Sequence, residues 1–199
     1  MKKMNSQAKK RVNDIFYSLQ GEGVNTGRPA VFVRFSGCNL RCPFCDTSFT
    51  SFTEMTNDEI VSRVKEWPAT MVILTGGEPT LQVDADLVEK LHRAGREVAM
   101  ESNGTKLPPP GIDWLTVSPK PFVAGGDIKV AECNELKVLF DGQHPVETYG
   151  VRADNYCLQP CDTGDEQQNS RLIEECISFI SQHPQWRLSL QTHKLAHFK

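Results

Sequence analysis

Short apolar runs and longer amphipathic stretches take turns along this chain. Val31-Phe32-Val33-Arg34-Phe35, Met71-Val72-Ile73-Leu74, Glu97-Val98-Ala99-Met100-Glu101, Trp114-Leu115-Thr116-Val117 and Asn155-Tyr156-Cys157-Leu158 have strand length and strand composition. The second of these is apolar throughout, the pattern of a strand covered on both faces. Residues 13–19 predict a short strand that ends in a turn at Gly21 and Gly23, and residues 187–191 predict the last strand. Helical spacing fills the gaps. Residues 57–66 place Ile60, Val61, Val64 and Trp67 on one side, behind a Thr56-x-x-Glu59 capping box and ahead of Pro68. Residues 84–94 turn Leu87, Val88 and Leu91 inward and His92 outward. Residues 167–181 turn Leu172, Ile173, Cys176, Ile177 and Ile180 inward.

Strands alternating with helices predict parallel pairing with right-handed crossovers. The chemically capable residues follow the strands, which is the logic of a barrel's C-terminal face. Leu107-Pro108-Pro109-Pro110 is a stiff connector without helix, and 199 residues fall short of the about 250 of a complete (β/α)8 ring. The expected fold is therefore α/β, an open partial (β/α) barrel shorter than a full TIM barrel. Residues 13–199 are expected to form one domain behind a frayed basic tail, residues 1–12.

Composition removes several functions. A formal net charge of -3 argues against a broad nucleic-acid surface. No apolar run approaches the roughly 20 residues of a membrane span, so neither a nucleic acid nor a membrane is an expected partner. The basic start has no apolar stretch behind it and does not read as a secretory signal. The cysteines number 7, an odd count, which fits a reducing cytoplasm better than secretion.

Those cysteines change the picture most. Cys38, Cys42 and Cys45 form C-x3-C-x2-C on the loop that leaves the Val31–Phe35 run. Three thiolates this close point at one centre. Structural zinc needs a fourth ligand from elsewhere. An iron–sulfur cube also takes four ligands, and with three cysteines one iron stays open for another molecule. The spacing alone leaves open cluster, closed zinc knuckle and scattered free thiols all standing. Cys133, Cys157, Cys161 and Cys176 lack such spacing and read as small buried hydrophobes. Gln20 and Glu22 set an amide beside a carboxylate, a pair suited to a heterocycle edge that offers donors and acceptors. Arg34 is the one charge in its run and suits a carboxylate, which guanidinium grips with two hydrogen bonds; the bland reading is a wet edge strand. Lys137 reads equally as a partner of Glu135 and as a ligand contact.

Downstream of the cysteines stands Leu74-Thr75-Gly76-Gly77-Glu78-Pro79. Together the two motifs, with Phe44 just before the third cysteine, resemble the radical S-adenosylmethionine (SAM) superfamily. The stretch Leu19-Gln20-Gly21-Glu22-Gly23 narrows the resemblance to the 7-carboxy-7-deazaguanine synthase family. So do Cys45-Asp46-Thr47, Glu101-Ser102-Asn103-Gly104, Ser118-Pro119-Lys120, Glu135-Leu136-Lys137, Leu158-Gln159-Pro160 and Gln191-Thr192-His193-Lys194. The likeness runs from about residue 13 to the end.

The resemblance implies a radical SAM lyase that turns 6-carboxy-5,6,7,8-tetrahydropterin into 7-carboxy-7-deazaguanine with loss of ammonia, in queuosine biosynthesis. It implies a [4Fe–4S] cluster on Cys38, Cys42 and Cys45, and Mg2+ at Thr47. It implies SAM contacts from Phe44, Cys45, Asp46, Gly76, Gly77, Glu78, Ser102, Ser118, Pro119, Lys120, Lys137 and Gln159. It implies pterin contacts from Leu19, Gln20, Gly21, Glu22, Arg34, Thr75 and His193. A flavodoxin or ferredoxin as reductant and a homodimer are further implications. Two other readings share parts of the pattern. A glycyl-radical activase has the cluster loop and the GGEP turn but no use for Gln20, Glu22 and Arg34 together. A zinc-knuckle module for RNA or protein calls for a basic or aromatic face, which the sequence lacks.

Overall fold

The computed structural model describes residues 9–45 and 51–199. Its strands are β1 (Lys10–Leu19), β2 (Pro29–Phe35), β3 (Thr53–Met55), β4 (Met71–Gly76), β5 (Glu97–Ser102), β6 (Trp114–Val117), β7 (Glu132–Phe140), β8 (Arg152–Pro160) and β9 (Trp186–Leu188). Its helices are α1 (Asn57–Val64), α2 (Ala85–Arg93), α3 (Glu166–Gln182) and α4 (Thr192–Ala196). The strands make one open sheet in the order β3-β1-β2-β4-β5-β6-β7-β8-β9. From β2 to β9 every pairing is parallel, while β1 runs antiparallel to β2 and to β3. This is a partial barrel, as expected. Helices fill the connections before β4, β5 and β9, but those entering β6, β7 and β8 carry none, so the ring stays open.

The period of two along each strand sorts residues between the faces. On β2, Val31, Val33 and Phe35 join the main core with Ile60, Leu87 and Cys176 from α1, α2 and α3. Ala30 and Phe32 face the other way and meet Met71, Ile73, Ala99 and Trp114 in a small apolar floor. The parallel register carries that concave face upward. Arg34 stands level with Thr75, Glu101 with Thr116, and Thr116 with Glu135. Polar residues thus collect above the apolar floor, at the carboxyl ends of the strands, where such sheets bind ligands.

The helix starts follow their local chemistry. The capping box forms: the Glu59 amide donates to Thr56 Oγ1, and the Glu59 carboxylate accepts from the Thr56 amide at 2.7 Å. Asp84 caps α2 by accepting from the Leu87 amide at 2.9 Å.

Three expectations need correction. The tail does not extend to residue 12, because β1 begins at Lys10. Lys10 is buried and its ammonium meets the Asp84 carboxylate at 2.6 Å, so this basic residue is pinned where a solvated tail was expected. The last strand ends at Leu188, and the Thr192–His193 pair opens α4 instead of ending a strand. Ile177 is exposed, because α3 packs along β8 and β9 through a narrow stripe led by Leu172 and Cys176.

Candidate active site

The loop after β2 and the turn after β4 are built against one another. The Gly77 amide donates to the Phe35 carbonyl at 3.0 Å and the Glu78 amide to the Gly37 carbonyl at 2.9 Å. A Cβ on Gly77 would stand 2.0 Å from the Gly37 oxygen, and Gly76 holds φ +121. The glycine pair therefore serves close approach of the two loops, and not only the approach of a ligand. Glu78 is fully buried and accepts from Thr80 Oγ1 at 2.6 Å, Ser102 Oγ at 2.9 Å and the Asn103 amide at 2.8 Å. It fixes the end of β5 from below.

Cys38, Cys42 and Cys45 line one large cavity of about 950 Å³, together with Phe44, Gly76, Gly77, Ser102, Ser118, Lys120, Lys137 and Gln159. Glu78 and Pro119, also expected to contact SAM, are not among its lining residues. Asp46 and Thr47 lie outside the described residues. Burial pushes up the thiol pKa values of Cys38 and Cys42, and the neighbouring thiols push the same way. That mutual repulsion between thiolates is what a bound cationic centre relieves. Among the described residues no three His, Cys, Asp or Glu side chains converge on a single metal-ion position. The donor set of three cysteines lining one cavity fits a [4Fe–4S] cluster with one iron left open. In the same cavity, Lys120 Nζ donates to Ser118 Oγ at 2.6 Å, and burial brings its pKa down to about 8.

A second, smaller cavity of about 230 Å³ adjoins the first. Leu19, Gln20, Gly21, Glu22, Arg34, Thr75 and His193 all line it. It also takes in Phe16, Phe32, Glu101 and Lys199, which sequence reasoning did not assign. Phe16 and Phe32 stack with ring centroids 5.0 Å apart, and the Arg34 guanidinium sits over the Phe16 ring at 5.2 Å. The Lys199 ammonium lies over the same ring and pairs with Asp14. His193 crowds Gly21: a Cβ there would stand 2.5 Å from the His193 Nδ1. Thr192 secures this approach by donating its amide and hydroxyl to the Gly21 carbonyl at 2.9 and 2.8 Å.

Between the cavities stands a charged partition. Glu22, Thr75, Glu101 and Lys137 line both. Lys137 Nζ donates to Glu22 at 2.5 Å and to Glu101 at 3.2 Å, so its partners are these two and not Glu135. Gln20 Nε2 donates to Glu101 at 3.1 Å, and Gln191 Nε2 to Glu22 at 2.9 Å. Burial raises the Glu22 pKa, but the Lys137 charge and hydrogen bond outweigh it and bring it from 4.5 down to about 2. Burial works against the Lys137 cation too, and Glu101, Glu22 and Glu135 more than offset it, so its pKa rises. Glu101 leaves a faint signal in the sequence, a charge ending an apolar run one residue before Ser102.

The model of the Radical SAM superfamily matches residues 32–116. A 7-carboxy-7-deazaguanine synthase of Bacteroides thetaiotaomicron is 50% identical, over 94% of this chain and 97% of the relative. This chain belongs to the 7-carboxy-7-deazaguanine synthase family. Another synthase of the family, from Burkholderia multivorans, is 42% identical over 92% of this chain and 96% of its own. The crystal structure of QueE from Escherichia coli superposes with a TM-score of 0.70 at 26% identity, covering 93% of this chain and 95% of that one. The synthase fold and the superfamily match make the chain a radical SAM enzyme, with a [4Fe–4S] cluster and SAM as its cofactors. No helix among the described residues is long and apolar enough to cross a membrane.

Proposed function

We propose that this chain converts 6-carboxy-5,6,7,8-tetrahydropterin to 7-carboxy-7-deazaguanine with loss of ammonia, a step of queuosine biosynthesis. The observation that carries this reading is the placement of the polar set after β1. Gln20, Glu22, Arg34, Thr75 and His193, far apart in sequence, line one small cavity that shares a wall with the cavity of the three thiols. A small, heterocycle-sized cavity lined by the stacked Phe16 and Phe32 suits a bicyclic substrate. The backbone of a partner protein, the substrate of a glycyl-radical activase, calls for an open groove.

In this reading Cys38, Cys42 and Cys45 hold the cluster. When bound, the cluster and SAM supply the radical that abstracts hydrogen from the pterin ring. Everything else falls to positioning. Arg34 takes the substrate carboxylate with its planar fork. Glu22, kept ionised by Lys137, accepts from the N–H edge of the ring, and Gln20 lies beside it. Gly76, Gly77, Ser102, Ser118, Lys120 and Gln159 hold SAM, while Glu78 supports Ser102 from beneath. Mg2+ at Thr47 is part of the proposal and draws on the family likeness. So do a flavodoxin- or ferredoxin-type electron donor, a homodimer and a cytoplasmic location.

Anaerobic reconstitution with iron and sulfide tests this reading. SAM, dithionite and carboxytetrahydropterin are added with and without Mg2+, and products are followed by mass spectrometry. The expected result is 7-carboxy-7-deazaguanine, abolished in Cys42→Ala and reduced without Mg2+. Release of 5′-deoxyadenosine with the pterin untouched would overturn the substrate. A colourless protein holding only zinc would overturn the radical chemistry as well.

A further inference from the structure

Glu135 is a buried carboxylate that lines neither cavity. It sits on β7 two residues before Lys137, on the same concave face, level with Thr116 and Asn155. Its Oε2 accepts the amide hydrogen of Val24 at 3.0 Å. The neighbouring amide, of Gly23, donates to Ser189 Oγ at 2.9 Å. Ser189 is itself buried, and its hydroxyl donates to Gln159 Oε1 at 2.7 Å. Gly23 holds φ +68, and a Cβ there would fall 2.0 Å from Glu135 Oε1, so only glycine lets the backbone come this near.

Two consecutive amides of the loop that carries Gln20 and Glu22 are therefore gripped by side chains from β7 and from beyond β9. A carboxylate buried without a hydrogen-bonded cation is costly, and burial accordingly raises the Glu135 pKa. The core would be served as well by an apolar side chain in that position. What an apolar side chain cannot supply is an acceptor for Val24.

We propose that Glu135 and Ser189 are positioning residues that clamp the Gly23–Val24 backbone, and so set where Glu22 stands in the smaller cavity. Through Ser189 the clamp reaches Gln159, whose side chain lines the larger cavity. The clamp links the far wall of one cavity to the substrate loop of the other. This rests on the proposed function for the identity of the substrate, though the clamp itself does not.

Amide hydrogen exchange on the reconstituted protein reads the clamp without any turnover. Glu135→Ala leaves the Val24 amide without its acceptor, and exchange at Val24 should quicken about tenfold, the worth of one such hydrogen bond. Glu135→Gln keeps an acceptor oxygen in place and should exchange as the parent does. Ser189→Ala should quicken Gly23 by a similar factor and leave the core strands unchanged. In kinetics, Glu135→Ala should raise the KM for carboxytetrahydropterin about tenfold and shift the Kd for SAM by a much smaller factor, since Glu22 also borders the larger cavity, and Glu135→Gln should restore the KM. Unaltered exchange at Val24 in Glu135→Ala would overturn the proposal. So would Glu135→Gln being as impaired as Glu135→Ala, or a loss of SAM binding equal to the loss of pterin binding. If the parent protein binds SAM but leaves the pterin untouched, the substrate reading fails while the exchange result still decides the clamp.

Discussion

At the scale of single residues, Lys137 is the side chain on which most depends. It offsets Glu22 and Glu101 in a partition that both cavities use. Replacing it with Met leaves two carboxylates facing each other without their cation, and should destabilise the fold by about 3 kcal/mol in urea unfolding. The pH dependence follows from Glu22. Unfolded, it gains its proton near 4.5; folded, only near 2. Its contribution is present above 4.5 and fades as pH falls towards 2. Unfolding midpoints measured across that window should fall steeply in the parent and less steeply in Lys137→Met. Arg34→Lys keeps the charge but loses the fork, and should raise the pterin KM about tenfold or more with little change in SAM affinity. The three cluster cysteines were legible through their spacing together with the Gly76-Gly77-Glu78-Pro79 turn downstream, since the spacing alone also suits zinc or free thiols. Gln20, Glu22 and Arg34 were legible as polar groups set among apolar or glycine neighbours. The Lys137 partners were not: Glu22 is 115 positions away, and no local pattern records which residues the strand register brings together.

Among the elements, the strands of the sheet's middle were the clearest. β4, β5 and β6 appear where their apolar runs stand, since burial on both faces removes any ambiguity of phase. The margins were harder to read. β9 pairs through three residues and exposes Leu188, so its short pattern could not mark where it stops. β1 starts three residues earlier than its apolar alternation suggests, because an ion pair to Asp84 secures Lys10 in place of a hydrophobic contact. The glycine pair after β4 makes a test at this scale. Gly77→Ala drives a methyl group into the Gly37 carbonyl and displaces the cluster loop. Far-UV circular dichroism should stay as in the parent, while iron and sulfide content after anaerobic reconstitution should fall by more than half.

For the molecule as a whole, one open sheet carries two cavities at one end, and stability should be graded along it. Amide exchange should be slowest in β4 and β5, the strands flanked on both sides and buried on both faces, and fastest in β3 and β9 at the two margins. Equal protection at margins and centre would contradict that picture. The shared partition has a thermodynamic consequence. Two ligands that lean on the same four side chains do not bind independently, and equilibrium linkage makes their influence mutual. Whatever factor the pterin applies to the dissociation constant of SAM, SAM must apply to that of the pterin. Calorimetric titrations in both orders should return one common factor for the parent and a factor closer to unity for Lys137→Met. With such a factor, occupancy of the smaller cavity would register at the larger one through the side chains they share.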